Sequence, residues 1–485
     1  MSRRHTLKPI RRRRYERVDG RWNLASSLLV PPLRLGNCVF LRLGSIAVGV
    51  MSLCCLVPAS PAAAQPVAMT LKPEDYSEEA KLATLLWAQT PEVIEARGEA
   101  GAAASEVTRA RKLPNPTLDF TWGTIPIGNT NPPDLADPIF HVPNYNVGIS
   151  ELIELAKRGP RQAATVAELE TARAKALAVL STRFFDLLET IGHIAQQQLR
   201  AAVIDGQVKA SERLLALDRA RAQKGEIAVI DADRSAVELN RLQATRDAAR
   251  TALEMARADC VAIIAAQCPP FASGKAARRF LRDGAGRDLP SSWSSEIEQQ
   301  RPDIAALDAA LRAANERATL ARHRSIPDVT LRLGYTYDTF LAAGNQQQSL
   351  NLGFQVPLPV ADQGQADLQA ATAALARAFH ARQSLVESGR LALELAVRQR
   401  DLIADRGKQM TAALAKAREL RDSLESVARA GAASQVDVLL ARRAYQDLLL
   451  ERIELDADGY TTALHLREAA AAFPKPQTPE EELRS

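Results

Sequence analysis

Four short segments of the chain alternate strictly between apolar and polar side chains. The first sets Leu118, Phe120 and Trp122 against Thr117, Asp119 and Thr121, and the second sets Tyr145, Val147 and Ile149 against Asn146, Gly148 and Ser150. The third carries Val329, Leu331, Leu333, Tyr335 and Tyr337 between Thr330, Arg332, Gly334 and Thr336. The fourth carries Leu350, Leu352, Phe354 and Val356 between Asn351, Gly353 and Gln355. Period two predicts strands of about nine residues, apolar on one face and polar on the other, the pattern of a membrane β-barrel with a wet interior. An ordinary four-stranded sheet with one solvated face alternates in the same way. Two features weigh against that sheet: the flanking helical segments offer no separate apolar layer to cover it, and Trp and Tyr fall where an interfacial girdle needs them. Four strands cannot close a barrel, and lipid does not tolerate open edges, so the barrel reading requires several copies: eight strands in a dimer, twelve in a trimer.

The rest of the pattern is helical. No proline interrupts 161–268 or 360–473. Within the first run Leu177, Leu180, Phe184, Leu187, Ile191 and Ile194 recur at steps of three and four, which predicts a coiled-coil seam. Each run is broken by one glycine in a turn-like setting, Lys224-Gly225-Glu226 and Ala430-Gly431-Ala432. We read Gly225 and Gly431 as the tips of helical hairpins. Shorter helices over 91–112 and 302–325 end at prolines 114 and 327. A descending helix over 160–223 is about 96 Å long at 1.5 Å per residue. The ascending helix that follows is too short to match it alone. Two helices stacked end to end, one from before the strands and one from after the turn, run the same length.

The two halves repeat each other. Pro91-Glu92-Val93-Ile94 matches Pro302-Asp303-Ile304-Ala305, and Leu113-Pro114-Asn115-Pro116-Thr117-Leu118 matches Ile326-Pro327-Asp328-Val329-Thr330-Leu331. Val147-Gly148-Ile149-Ser150 matches Leu352-Gly353-Phe354-Gln355, and Gly225 with Asp231 matches Gly431 with Asp437. The matches keep one order and include the prolines and glycines. The organisation read from them is a signal peptide over 1–64, an N-terminal periplasmic segment over 65–90, a first repeat over 91–268, an equatorial linker over 269–301, a second repeat over 302–471 and a disordered tail over 472–485.

Charge changes the picture once the leader is set aside. Residues 1–64 carry 11 of the 62 basic and 2 of the 57 acidic side chains. The remainder holds 51 against 55, so the net charge of +5 becomes −4 and nucleic acid loses its electrostatic basis as a partner. The leader itself has a basic region at Arg11–Arg14, a short apolar core over 46–57 and small residues at 62–64, a secretory pattern too short for a spanning helix. Cys260 and Cys268 remain beyond it. An oxidising compartment permits a bridge between them, but eight residues of straight helix rise about 12 Å, so a bridge requires a bend after Ile264; two buried free thiols are the other reading.

These features together resemble the outer-membrane factor (TolC-like) family, over about 91–471. The most telling stretches are Tyr145-Asn146-Val147-Gly148-Ile149-Ser150 leading into Lys157-Arg158-Gly159, and Gly431-Ala432-Ala433-Ser434-Gln435-Val436-Asp437-Val438-Leu439. The resemblance implies a mainly α fold with a small β part. Long antiparallel helical hairpins form an α-barrel continuous with a twelve-stranded transmembrane β-barrel, completed by a homotrimer. It implies an outer-membrane location with a long periplasmic extension, a periplasmic adapter (membrane fusion protein) and an inner-membrane pump as partners, and passive export without a cofactor or catalytic residue. Ile153-Glu154-Leu155 with Lys157-Arg158-Gly159-Pro160-Arg161 is most similar to the branch serving heavy-metal cation pumps. Ala156 stands where a glycine is usual there, and a plain strand-to-helix corner explains the motif equally. The family's constriction motif reads Val436-Asp437-Val438-Leu439-Leu440 here, so Asp437 matches the first acid and Leu440 replaces the second. Asp437, with Asp231 as its repeat counterpart, is a candidate pore or gate residue; a helix-start acid that favours the helix dipole is the alternative for each.

Catalytic and metal-binding patterns are missing from the sequence. His141, His193, His323, His380 and His465 stand far apart, the cysteine pair lacks ligand spacing, and there is no phosphate loop, zinc-protease motif or nucleophile elbow. The competing readings are a periplasmic adapter, which carries one hairpin rather than two, and an elongated coiled-coil protein, which does not need the four repeated strands.

Overall fold

Proline and glycine punctuate the helices where the sequence predicts. In this computed structural model the chain divides into two units, residues 1–64 and 65–485, and the structure describes 71–129, 135–286, 291–339, 346–429 and 434–474. The leader, the tip residue Gly431 and the tail beyond 474 lie outside the described residues.

A 3-10 turn, Pro73–Ser77, leads into α1 (Glu79–Gln89) and α2 (Pro91–Arg111). Then come β1 (Thr117–Gly123), the single turn α3 (Pro138–His141), β2 (Asn144–Ile153), α4 (Arg158–Gln223) and α5 (Val229–Ile264). Between the repeats stand α6 (Gly274–Ala285) and α7 (Ser295–Gln300). The second half has α8 (Pro302–His323), β3 (Val329–Asp338), β4 (Gln348–Gln355), α9 (Gln365–Arg429) and α10 (Gln435–Ala469). Pro91 and Pro302 each occupy the first helical turn, where the missing N–H costs no hydrogen bond. Corresponding elements differ little in length: 66 and 65 residues in α4 and α9, 36 and 35 in α5 and α10.

The helices form a layer with two open flanks. α4 packs against α2 and α5 on one side and against α8 and α10 on the other. α9 packs against α8 and α10. Both pairs of shorter helices therefore share the length of one long helix, about 99 Å for the 66 residues of α4. The strands continue this order. They form one antiparallel sheet, β1-β2-β3-β4, in which β1 follows α2 and β4 precedes α9. The open flanks of the helical layer, α2 with α5 and α9, thus lie under the unpaired edges of the sheet.

The main core sits at the level of the linker. Leu180, Phe184, Leu187, Ile191 and Ile194 are buried there, together with Tyr76, Leu86, Leu281 and Tyr460. The stripe predicted as a coiled-coil seam is therefore wrapped from more than one side, by α1, α6 and α10. Tyr460 passes between two glycines, Gly192 of α4 and Gly284 of α6. Its hydroxyl donates to the Leu188 carbonyl at 3.1 Å. Linker residues 274–285, whose role the sequence leaves open, close this core as α6, capped by the Ser273 side chain.

Cys260 and Cys268 are joined, with Cα atoms 6.1 Å apart. The bend required after Ile264 is present: α5 stops there and Ala265 takes φ +54°. Arg257 donates to the Cys268 carbonyl, Tyr76 to that of Pro269, and Gln198 exchanges two bonds with the Phe271 backbone. The bridge and these bonds fasten the returning chain to α4 and to the N-terminal turn.

Candidate lipid-facing sheet and pore surfaces

Register decides what the strands present. Leu118, Ile149, Leu333 and Leu352 fall in one row across the sheet, and Phe120, Val147, Tyr335 and Leu350 in the next. Trp122, Tyr145 and Tyr337 make the outermost row, where Trp122 and Tyr145 stack with ring centres 6.4 Å apart. This face is uncovered: Leu118, Phe120, Leu352 and Phe354 are 65 to 78 % exposed, and Val147, Ile149, Leu331, Leu333 and Tyr335 are exposed as well. These three rows of largely uncovered apolar side chains make a patch of the kind that marks a surface meeting lipid or another chain. An aromatic row at the end far from the helices matches the girdle of a membrane barrel.

The opposite face is polar and internally bonded. Asn146 Nδ2 and Asn351 Nδ2 both donate to Thr336 Oγ1, at 2.6 and 2.7 Å. Thr117 and Ser150 share a hydroxyl contact of 2.7 Å. Arg332 reaches from β3 across β2 to form an ion pair with Asp119 on β1, and donates to Asn146 Oδ1 at 3.1 Å. Gly148 leaves room for that crossing. A Cβ there would stand 3.0 and 3.1 Å from the Asp119 carboxylate oxygens and 3.2 Å from Arg332 Nε.

Where strands become helices, the Lys157–Arg161 stretch is occupied by structural bonds. Arg158, Arg161 and Gln162 donate to the carbonyls of Ala110 and Arg111, the free acceptors at the end of α2. Arg161 also pairs with Glu154, and Lys157 with Asp328 at 2.9 Å, tying the first repeat to the second. These side chains thus hold the strand-to-helix corner together.

Residues 293–472 match the family model described as outer membrane efflux protein. The fold is that of solved outer-membrane channels. It is similar to the Campylobacter jejuni CmeC outer membrane channel at TM-score 0.70 and 14 % identity, covering 88 % of this chain and 93 % of that one. It is also similar to the outer membrane protein VceC of Vibrio cholerae, at TM-score 0.64 and 14 % identity, covering 81 % and 96 %. The open Neisseria gonorrhoeae MtrE outer membrane channel gives TM-score 0.59 and 18 % identity, covering 81 % and 88 %. No curated protein matches the sequence. The family match lies in the second repeat and the linker before it; the likeness of fold extends over both repeats.

At the opposite end of the long helices, Gly225 adopts φ +76°. Its N–H bonds the Ala222 carbonyl and that of Glu226 bonds the Arg221 carbonyl, a Schellman closure that needs a residue without a Cβ penalty. Asp231 and Asp437 both lie in the first turn of the helix after the tip. Asp231 pairs with Arg234 at 3.3 Å, within its own helix. Asp437 is exposed. Among the described residues no three His, Cys, Asp or Glu side chains converge as a metal site, and no helix is long and apolar enough to cross a membrane. Sequence reasoning did not find the Asp119–Arg332 pair. Both residues were visible on polar strand faces, but they belong to different repeats, and only the register brings them together.

Proposed function

We propose that the chain is one protomer of a trimeric exit duct in the outer membrane, through which substrates delivered by an inner-membrane pump and a periplasmic adapter leave the cell passively. The carrying observation is that the sheet and the helical layer are open on the same two flanks. Both helical flanks also carry apolar stripes. On α5 these are Ile230, Val237 and Met255, and on α9 Leu391, Leu395, Leu402 and Leu420, all exposed in the protomer. Steps of 4, 7 and 18 keep each stripe on one helix face. Joining β4 and α9 of one copy to β1 and α5 of the next satisfies the strand edges and buries both stripes. Three copies give the twelve strands expected from the resemblance. The likeness to solved channels supports this closure.

Towards the tip, clefts of about 450 Å³ between α4, α5 and α10 and about 610 Å³ between α4, α9 and α10 offer seats for an adapter's helical hairpin. Asp437 would line the constriction three times over. Heavy-metal cations are the substrate class favoured by the corner motif's resemblance, although here its side chains serve the corner itself.

The test is membrane fractionation followed by electrophoresis with and without heating. A heat-modifiable trimer in the outer membrane supports the duct, and a monomer in the soluble periplasm overturns it in favour of an adapter or a coiled-coil protein. For the substrate, a strain lacking the chain is challenged with metal salts and with drugs; sensitivity to drugs alone overturns the metal reading.

A further inference from the structure

Within the strands, the charged side chains on the polar face are Asp119, Arg332 and Asp338. Asp338 lies at the outer end of β3, opposite Asn144. Asp119 and Arg332 lie mid-strand, and their charges cancel through the ion pair that crosses Gly148. Both side chains stay wet, 35 and 49 % exposed, so the pair faces solvent rather than a core. The contact is also directional, because one guanidinium nitrogen serves both Asp119 and Asn146.

We propose that Arg332 sets the ion selectivity of the barrel by neutralising a ring of carboxylates that Asp119 would otherwise form. This rests on the duct reading, since only a closed barrel turns the polar face into a lumen. Twelve strands spaced about 4.8 Å apart and tilted by about 40° enclose a backbone cylinder roughly 12 Å in radius. Side chains that point inward bring three Asp119–Arg332 pairs to roughly 8 Å from the axis. The screening length is about 10 Å at 0.1 M salt, so every permeating ion there feels the ring; at 1 M it is about 3 Å and the ring fades. In the native barrel the pairs cancel, the middle of the lumen favours neither sign, and charge discrimination is left to the two ends. Gly148 is the structural condition for this, because any side chain at that position intrudes between the partners.

The experiment is reversal-potential measurement on the purified full-length protein in planar bilayers, under KCl gradients centred near 0.1 M and near 1 M. Arg332→Gln uncovers three carboxylates and is expected to raise the potassium-over-chloride permeability ratio about twofold or more at the lower salt, with a smaller change at the higher. Asp119→Asn uncovers three guanidinium groups and is expected to lower the ratio. The double variant returns close to wild type. If Arg332→Gln does not assemble into trimers, the sign of the Asp119→Asn shift decides alone. Unchanged ratios, or shifts of the same sign in both single variants, overturn the proposal while leaving the duct intact. A wild-type protein that opens no channel overturns the duct reading, and the lumen with it.

Discussion

The slot around Tyr460 gives the sharpest test of the packing. Its ring edge lies 2.5 and 2.7 Å from where a Cβ on Gly192 would stand, and the opposite edge lies 2.4 and 2.5 Å from the corresponding point on Gly284. Ordinary carbon contacts begin near 3.4 Å, so Gly192→Ala demands a displacement of about 0.9 Å. The ring has nowhere to go, because moving away from Gly192 drives it into α6. Overpacking of this kind costs about 1–3 kcal/mol, while replacing a mid-helix glycine by alanine gains about 1 kcal/mol. The net destabilisation of Gly192→Ala should therefore reach up to about 2 kcal/mol. Gly206, in the same helix, has nothing within 4 Å of its Cβ position, so Gly206→Ala should be stabilising by about 0.5–1 kcal/mol. Thermal unfolding in detergent, followed by helical circular dichroism, reads both variants against wild type. In a Tyr460→Ala background, itself costing about 3–5 kcal/mol, Gly192→Ala should turn from loss to gain. Equal effects at Gly192 and Gly206 would refute the slot, as would an unchanged effect of Gly192→Ala once the ring is gone.

Removing the Cys260–Cys268 bridge frees a loop of eight residues, which costs roughly 2.5 kcal/mol in chain entropy; hydrogen exchange in the cysteine-to-serine pair should rise first over 265–273, and unchanged protection there contradicts the clamp. Asp75 accepts from Lys81 Nζ at 2.5 Å and from the Lys72 N–H at 2.7 Å, which hold its carboxyl below the usual carboxylate range. Its contribution is therefore complete above the unfolded value near 4 and is lost as pH falls through the lowered folded value. Asp75→Asn should destabilise at pH 7 and match wild type in strong acid, as thermal melts across pH would show. Replacing Leu395 and Leu402 on α9 by Glu removes about 1.5–3 kcal/mol of burial at each site per interface and should abolish the heat-modifiable trimer while leaving the protomer helical. Asp437→Asn should lower cation permeability at low salt, with Asp231→Asn as the control already paired within its helix. Equal and purely thermal effects of about 0.3–1 kcal/mol in both variants would assign the two acids to the helix dipole.

Much of this architecture was legible along the chain because it is local. Pro91, Pro302 and the prolines after α2 and α8 set helix ends through their own backbone geometry. Alternation in β1 to β4 assigned a face to each strand side chain, since successive strand residues point to opposite sides. Gly225 marked a tip because only the backbone there, at positive φ, closes the helix. Under the barrel reading, the requirement for several copies also follows from the sequence, from the number of strands and the intolerance of lipid for open edges.

Tertiary structure decided everything that depends on juxtaposing distant segments. The stripe from Leu180 to Ile194 has the spacing of a two-helix seam, yet it is enclosed by α1, α6 and α10, because the linker folds back onto it. Tyr460, Gly192 and Gly284 carry no shared signal in one dimension and form a single slot in three. Asp119 and Arg332 lie 213 residues apart, and their pairing exists only because the register sets β1, β2 and β3 side by side with a glycine between the charges. Sequence periodicity fixes which face a residue occupies; which residues meet on that face is set by the packing of elements far apart in the chain.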